Sequence, residues 1–228
     1  MAIEVVLEVA DKRSFASALD WPGWSRSGRS PDEALERLLA YAPRYAQVAR
    51  RAKVAFRPPA TVAGLDVVQR LHGDGGTEFG VPGKPADAEE RRLTPRDADR
   101  LAALLRASWA TFDAAARKAE GVQLTTGPRG GGRSRAKISD HVREAEVAYL
   151  WKLGSRAPSA SDEPATQPMK RLRRTFLDAL AAVAAGDEPA DPSGARTRWP
   201  PRYAVRRAAW HVLDHAWELQ DRIPARSA

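Results

Sequence analysis

The chain contains no cysteine among its 228 residues. This absence excludes disulfides, thiolate metal ligands and a cysteine nucleophile, so a bound metal would have to be held by imidazole or oxygen. Thiol chemistry would need a thiol brought by a co-substrate. Histidine is scarce as well, with four residues in the whole chain, so very few imidazole metal sites can be built from this sequence.

Long apolar runs and a basic N-terminal segment are also missing. The longest apolar run, around residues 177–185, is too short to span a bilayer. Residues 1–11 carry acidic side chains and no basic segment ahead of an apolar one, which is unlike a signal peptide. These absences predict a soluble, cytoplasmic protein that makes no contact with membrane.

The formal net charge is +8 and the pI is about 10.2. A basic balance of this size is compatible with nucleic acid or with anionic small molecules as partners. However, most of the basic residues are arginine, alanine is abundant and lysine is scarce, a composition that a GC-rich genome produces without selection for binding. We therefore expect a small-molecule substrate and do not expect nucleic acid as a partner.

Residues 1–73 combine three strand patterns with one helix. The strands are predicted at residues 2–9, 14–19 and 64–72, which are rich in β-branched and aliphatic side chains. The helix is predicted from residue 31 to about residue 53.

The start of that helix carries a capping box formed by Ser30 and Glu33, with Pro31 at the first helical position. Pro43 is expected to kink the helix. The preceding residues 21–30 contain proline and glycine and are predicted to form a loop.

This N-terminal pattern resembles the HicB-like family of small ββαβ domains. The resemblance is carried by Pro22-Gly23, by Gly28 and by the helix start at Ser30 and Glu33-Ala34. It implies a ββαβ domain over residues 1–73 that docks a protein partner or works beside a separate DNA-binding module. The sequence contains no evident module of that kind, so only the fold is carried over and not the antitoxin role of the family.

Glycine and proline are concentrated in residues 74–94, which predict a linker. Beyond the linker, apolar residues recur at helical spacing in four segments. These segments are residues 95–120, 139–153, 169–185 and 203–222. We therefore predict an α+β protein in which a small ββαβ domain is followed by an up-and-down four-helix bundle over residues 95–228. The bundle is expected to fold without the N-terminal domain.

The last of these helices carries two histidines beside its apolar stripe. His211 and His215 are one turn apart, so both imidazoles project from the same edge of the helix. This is the spacing at which two histidines can share one metal ion. A third histidine, His141, lies near the start of the second bundle helix and makes a three-histidine site possible.

The bundle segment also resembles the DinB-like superfamily. The resemblance is carried by the helix order, by Ile138-Ser-Asp-His141-Val-Arg-Glu-Ala-Glu and by Ala209-Trp-His211-Val-Leu-Asp-His215-Ala-Trp-Glu. It implies a four-helix bundle in which His141, His211 and His215 bind a divalent metal, zinc or nickel. Glu144 and Glu218 each follow a histidine by three residues and are candidates for a fourth ligand, although Glu218 is also placed to pair with Arg222.

The DinB-like resemblance further implies a metal-dependent enzyme, either a low-molecular-weight-thiol S-transferase or a related hydrolase. An open position on the metal would activate water or the thiol of a co-substrate. Arginines on the bundle helices could hold the polar groups of such a ligand; the candidates are Arg143, Arg174, Arg206 and Arg207. The alternative is a non-enzymatic binding or regulatory protein whose N-terminal domain docks a partner and whose metal is structural.

A second apolar stripe on the last helix consists of Trp210, Leu213 and Trp217. A helix in a simple bundle needs one apolar stripe, and two indoles left in water would be an unusual surface patch. We expect the N-terminal domain or a second copy of the chain to cover it, with a homodimer slightly favoured. A wide bundle core that takes both stripes is the remaining alternative.

Overall fold

The computed structural model describes residues 2–127, 132–157, 168–187 and 198–224. This part of the chain forms an α+β structure with four strands and seven α-helices. The elements in chain order are β1 (Ile3–Val9), β2 (Ser14–Ala18), β3 (Ser25–Gly28), α1 (Pro31–Ala40), α2 (Ala42–Arg51), β4 (Leu65–His72), α3 (Gly75–Phe79), α4 (Pro95–Lys118), α5 (Arg135–Lys152), α6 (Pro168–Ala185) and α7 (Pro201–Arg222).

The four strands form one mixed sheet in the order β3-β2-β1-β4. Strand β1 pairs antiparallel with β2 and parallel with β4. All five residues of β2 are buried, because both faces of this strand are covered. Ala16 and Ala18 pack into the same core as α1 and α2, whereas the ring of Phe15 meets Trp210 of α7 edge-on at 5.9 Å.

Strand β3 lies where a loop was expected, so the N-terminal sheet has four strands and not three. Its residues are mostly polar, because β3 is an edge strand and has no need of an apolar alternation. It is held by its ladder to β2 and by a hydrogen bond of 2.6 Å from the hydroxyl of Ser25 to that of Ser17. Polar pairing of this kind leaves no hydrophobic pattern in the sequence.

The single kinked helix expected over residues 31–53 is two helices that meet at Tyr41. Half of the predicted capping box is confirmed, since the side chain of Ser30 accepts a hydrogen bond of 3.2 Å from the backbone N–H of Glu33. The carboxylate of Glu33 accepts instead from the backbone N–H of Arg29. Pro43 lies in the first turn of α2, where its missing N–H removes no helical hydrogen bond. The break therefore precedes the proline and replaces the expected kink.

Residues 74–94, expected as a linker, contain α3 and a short 3-10 turn at Asp87–Glu90. The buried carboxylate of Glu8 in β1 accepts hydrogen bonds from the hydroxyl of Thr77 and from the backbone N–H groups of Gly83 and Lys84. The carboxylate of Glu8 thus fixes the first part of the segment to the sheet, and Gln69 of β4 holds the later part, since its side-chain oxygen accepts a hydrogen bond of 2.9 Å from the backbone N–H of Asp87. The domain division near residue 73 stays a prediction.

Helices α4 to α7 enclose a second apolar core. Helix α4 packs mainly on α7 and α6, and α5 packs mainly on the same two helices. Consecutive helices α4 and α5 are therefore diagonal in the bundle, which differs from the expected up-and-down order. Their connection, residues 119–134, is long enough to cross the end of the bundle, whereas a short loop would force consecutive helices to be neighbours.

Helix α7 packs on the other bundle helices with one face and with another face on the N-terminal layer, which consists of the four-stranded sheet, α1 and α2. Every residue from Tyr203 to Leu213 is buried, as expected for a helix with apolar contacts all round. Its first apolar stripe packs in the bundle core, whereas Leu213 and Trp217 belong to the core of the N-terminal layer. The second stripe is therefore covered by the N-terminal layer, and the homodimer stays a prediction.

Glycine is required at the point where the N-terminal layer comes closest to α7. Gly23 has φ +92°, and a Cβ atom there would lie 2.6 Å from Cδ1 of Leu213 and 3.1 Å from the carbonyl oxygen of Ala209. A side chain at this position would separate the two layers.

Among the described residues, no helix is long and apolar enough to cross a membrane.

Candidate metal centre

The three predicted ligands meet between α5 and α7. One nitrogen from each of His141, His211 and His215 can be chosen so that all three lie within 4.8 Å of one another. The Nε2 atoms of His141 and His211 are 3.1 Å apart. Helices α5 and α7 run in opposite directions, since the start of α5 meets the second half of α7. At the other end, the backbone N–H of Trp199, just before α7, donates to the carbonyl of Lys152 at the end of α5.

Two of the three histidines, His141 and His211, are held in the neutral form that binds metals. His211 and His215 are 8% and 7% exposed, and His141 is half-buried. Burial, and then the charges of the neighbouring histidines, lowers the pKa of His211 to about 2. Burial and the charge of His215 also lower the pKa of His141. Protons therefore do not compete with a cation for the ring nitrogens of His141 and His211 near neutral pH.

Glu218 orients His215 and does not join the three imidazoles. Its Oε2 lies 2.8 Å from Nδ1 of His215, which leaves Nε2 as the free nitrogen of that ring. The other oxygen accepts a hydrogen bond of 2.9 Å from Arg222, whose Nε donates to the carbonyl of Thr125. Burial alone would raise the pKa of the Glu218 carboxyl, but the bonds from His215 and Arg222 hold it below its ordinary value.

No fourth protein ligand completes the cluster within the described ranges. His141, His211 and His215 are the only His, Asp or Glu side chains there that gather in this way. Glu144 is exposed and lies outside the cluster. The expected pairing of Glu218 with Arg222 is confirmed, and this pairing uses the second candidate carboxylate.

Of the four arginines named as candidates, Arg207 lies beside the histidines. Its charge contributes to the low pKa of His211. The guanidinium is packed against the rings of Tyr149, Trp199 and Trp210, at 4.9–5.8 Å from their centroids. Arg206 is instead bound to Glu89 in a buried ion pair, and Arg143 and Arg174 are exposed.

Tyr149 is a residue of this site that the sequence analysis missed. Its ring lies edge-on to His211 at 5.8 Å, and its hydroxyl accepts a hydrogen bond of 3.3 Å from Nη2 of Arg207. Burial raises the pKa of this hydroxyl, which therefore keeps its proton. Tyr149 stands eight residues after His141, close to two helical turns, and this spacing could have identified it.

The donor set fits a divalent transition metal. Two nitrogens that each lie about 2.1 Å from a tetrahedral zinc are separated by about 3.4 Å, close to the 3.1 Å between the Nε2 atoms of His141 and His211. Neutral imidazoles suit zinc and nickel, and the chain has no thiolate that would favour a softer ion.

A cleft of about 630 Å³ leads to His215 from the outside. It lies between α7 on one side and β2, β3 and α1 on the other, so the N-terminal layer provides one of its walls.

Comparisons of the chain with protein-family models, curated proteins and solved structures gave no match. The HicB-like and DinB-like resemblances therefore stay predictions.

Proposed function

We propose that this protein is a metal-dependent enzyme in which His141, His211 and His215 bind zinc or nickel. A divalent cation with three imidazole ligands supplies an open position, where it lowers the pKa of a water or thiol. The reaction is transfer to a low-molecular-weight thiol co-substrate or the related hydrolysis. A thiol has to come from a co-substrate, because the chain has no cysteine.

The observation that carries this proposal is the cluster of three imidazoles, which the carboxylate of Glu218 does not join. In the part of the chain that the structure describes, three imidazoles come together and neither Glu144 nor Glu218 joins them. A structural site is usually closed by four protein ligands, whereas a catalytic site keeps one position open. The geometry thus favours an enzyme over the non-enzymatic alternative.

Side chains around the histidines have separate roles in this proposal. Glu218 holds the ring of His215 in one orientation and one tautomer. Arg207 donates to the hydroxyl of Tyr149, so the proton of that hydroxyl stays available for donation to a ligand. Buried rings on either side exclude water from the guanidinium and strengthen its effect on nearby anions.

Metal loading followed by a thiol titration tests this function. Protein prepared without a histidine tag should bind one equivalent of cobalt, used as a spectroscopic substitute, and His211→Ala should bind none. N-acetylcysteine should change the visible spectrum if the thiol binds at the cation. Hydrolysis of 4-nitrophenyl acetate without that change would select the hydrolase. The proposal would be overturned if wild-type protein carried no more metal than a variant in which His141, His211 and His215 are all replaced by alanine.

A further inference from the structure

We propose that the cleft between α7 and the N-terminal layer binds a small organic anion carrying a phosphate or carboxylate group. The N-terminal layer then selects the substrate of the metal centre. Selection of the substrate rests on the proposed function, whereas binding of the anion does not. The N-terminal layer would thus recognise the substrate, in place of the partner docking that the sequence suggested.

The position and size of the cleft suit a small ligand. His215 and Glu218 line one part of it, so a ligand in the cleft reaches the edge of the three-imidazole cluster. Its volume of about 630 Å³ lies within the range of about 300–1,000 Å³ that is usual for small-molecule sites. Phe15, Trp210 and Trp217 supply apolar surface for the body of the ligand.

The acidic side chains of the cleft are already neutralised. Asp214 binds Arg26 at 3.0 Å. Asp221 binds Arg44, with Nη1 and Oδ2 3.1 Å apart. Glu218, the third acid, is bonded to His215 and Arg222 as described above.

Basic side chains of the cleft are not balanced in the same way. Arg26 and Arg37 have acidic partners, Asp214 and Glu33. Four further cations have no ion pair within the described ranges, and they are Lys12, Arg13, Arg29 and Arg133. A concave surface with four unbalanced positive charges and no unbalanced negative charge attracts anions.

Three of these four cations belong to the N-terminal layer. Lys12 and Arg13 lie at the turn before β2, and Arg29 follows β3 directly. The same layer holds Arg26 rigidly, with its guanidinium 3.8 Å from the ring centroid of Tyr41 and 5.0 Å from that of Trp217. The charge that recognises the anion therefore comes mainly from the N-terminal layer, and the metal-binding histidines come from the bundle.

Calorimetric titration with three matched probes tests this inference. Phenyl phosphate and benzoate represent the two sources of negative charge, and benzyl alcohol is the neutral control of similar shape. We expect the wild-type protein to bind one or both anions and to discriminate against the alcohol by tenfold or more. The anion that binds more tightly identifies the group that the cleft recognises.

The variant Arg13→Gln/Arg29→Gln should weaken binding of that anion about tenfold, which corresponds to about 1.4 kcal/mol. Arg106→Gln, on the exposed face of α4 and outside the cleft, is the matched control for loss of charge and should bind like wild type. Equal binding of alcohol and anions would overturn the inference. Wild-type affinity in the double variant, or an equal loss in Arg106→Gln, would also overturn it.

Removal of metal separates this inference from the proposed function. Wild-type protein treated with a chelator and then dialysed should bind the anion within about threefold of the metal-loaded form, since the cations of the cleft are unchanged. Complete loss of anion binding on metal removal would overturn the inference and leave the metal centre intact. Protein that takes up no metal but still binds the anion would overturn the proposed function alone.

Discussion

Arg206 donates from Nε to Oε1 of Glu89 over 2.7 Å, and the two side chains are 2% and 4% exposed. Nη2 of the same arginine donates to Oε2 of Glu89 and to the carbonyl of Lys84. The pair joins the second turn of α7 to the 3-10 turn at Asp87–Glu90. A segment whose composition predicts a linker is thus bound to α7 by a buried ion pair.

Glu89→Gln should lower the free energy of unfolding by about 3–5 kcal/mol, because it leaves the charge of Arg206 buried without a partner. Urea denaturation followed by circular dichroism measures this change. Asp221→Asn breaks a more exposed ion pair with Arg44 and should lower stability by less than about 1 kcal/mol. Equal effects of the two substitutions would contradict the buried pair.

We expect wild-type protein to carry one divalent metal, zinc or nickel, and to lose it in His211→Ala and in His215→Ala. Elemental analysis of untagged protein measures the content. His72→Ala is the matched control, since His72 is the fourth histidine and lies exposed at the end of β4. Metal added at about a thousand times its dissociation constant should stabilise wild-type protein by about 4 kcal/mol, and it should not stabilise His211→Ala.

Glu218→Gln should weaken metal binding about 10–100-fold, because the charged acceptor at Nδ1 of His215 is lost while the side-chain shape is kept. Competition with a chromogenic chelator measures the affinity. Glu144→Gln removes an exposed carboxylate at the same spacing from His141 and should change affinity much less. If both variants weaken binding equally, the orienting role of Glu218 is wrong.

The stability of the metal-free protein should fall as the pH decreases below about 6.5. The pKa of His211 is lowered from 6.5 to about 2 on folding. Between these two pH values the unfolded chain binds a proton at His211 and the folded chain does not, so the free energy of unfolding decreases as the pH falls. Between about pH 7.5 and pH 5.5 this group should contribute a loss of about 1.4 kcal/mol. His211→Gln does not titrate, and the difference between its urea midpoints and those of wild type isolates the effect.

Trp217→Glu should disturb the contact between the layers more than it disturbs the metal. Trp217 is 2% exposed and meets the ring of Tyr41 at 5.1 Å, in the core of the N-terminal layer. The variant should therefore lose several kcal/mol of stability and keep its metal in the fraction that remains folded. Light scattering on wild type and variant also tests the predicted homodimer.

The centre of the site followed from local sequence patterns. The four-residue spacing of His211 and His215 fixes one helical edge, and the helical period puts His141 in a second helix. That the three histidines share one site was implied by the DinB-like resemblance, and the structure brings their rings together. Glu218 was ambiguous between metal ligand and partner of Arg222, because spacing alone does not show which way a side chain turns. The structure shows that it turns to both His215 and Arg222.

Features that depend on distant residues left no local pattern. Glu8 and Glu89 are ordinary acids in the sequence, and their hydrogen-bond partners lie up to 76 and 117 positions away, respectively. Strand β3 lacks an apolar alternation because it pairs at an edge through polar residues. The wall of the cleft formed by Lys12, Arg13 and Arg29 depends on how the sheet packs against α7, which composition does not encode.

Helix α7 belongs to two apolar cores at once, with Val212 in one and Leu213 in the other. Loss of either core would leave one face of this helix bare, so we expect the two cores to melt together, in contrast to the expectation from sequence that the bundle folds without the N-terminal domain. Heating should therefore give a single heat-capacity peak whose calorimetric enthalpy equals the van 't Hoff enthalpy, where independent domains would give two peaks. We therefore expect the shared helix to make melting of this molecule an all-or-none event.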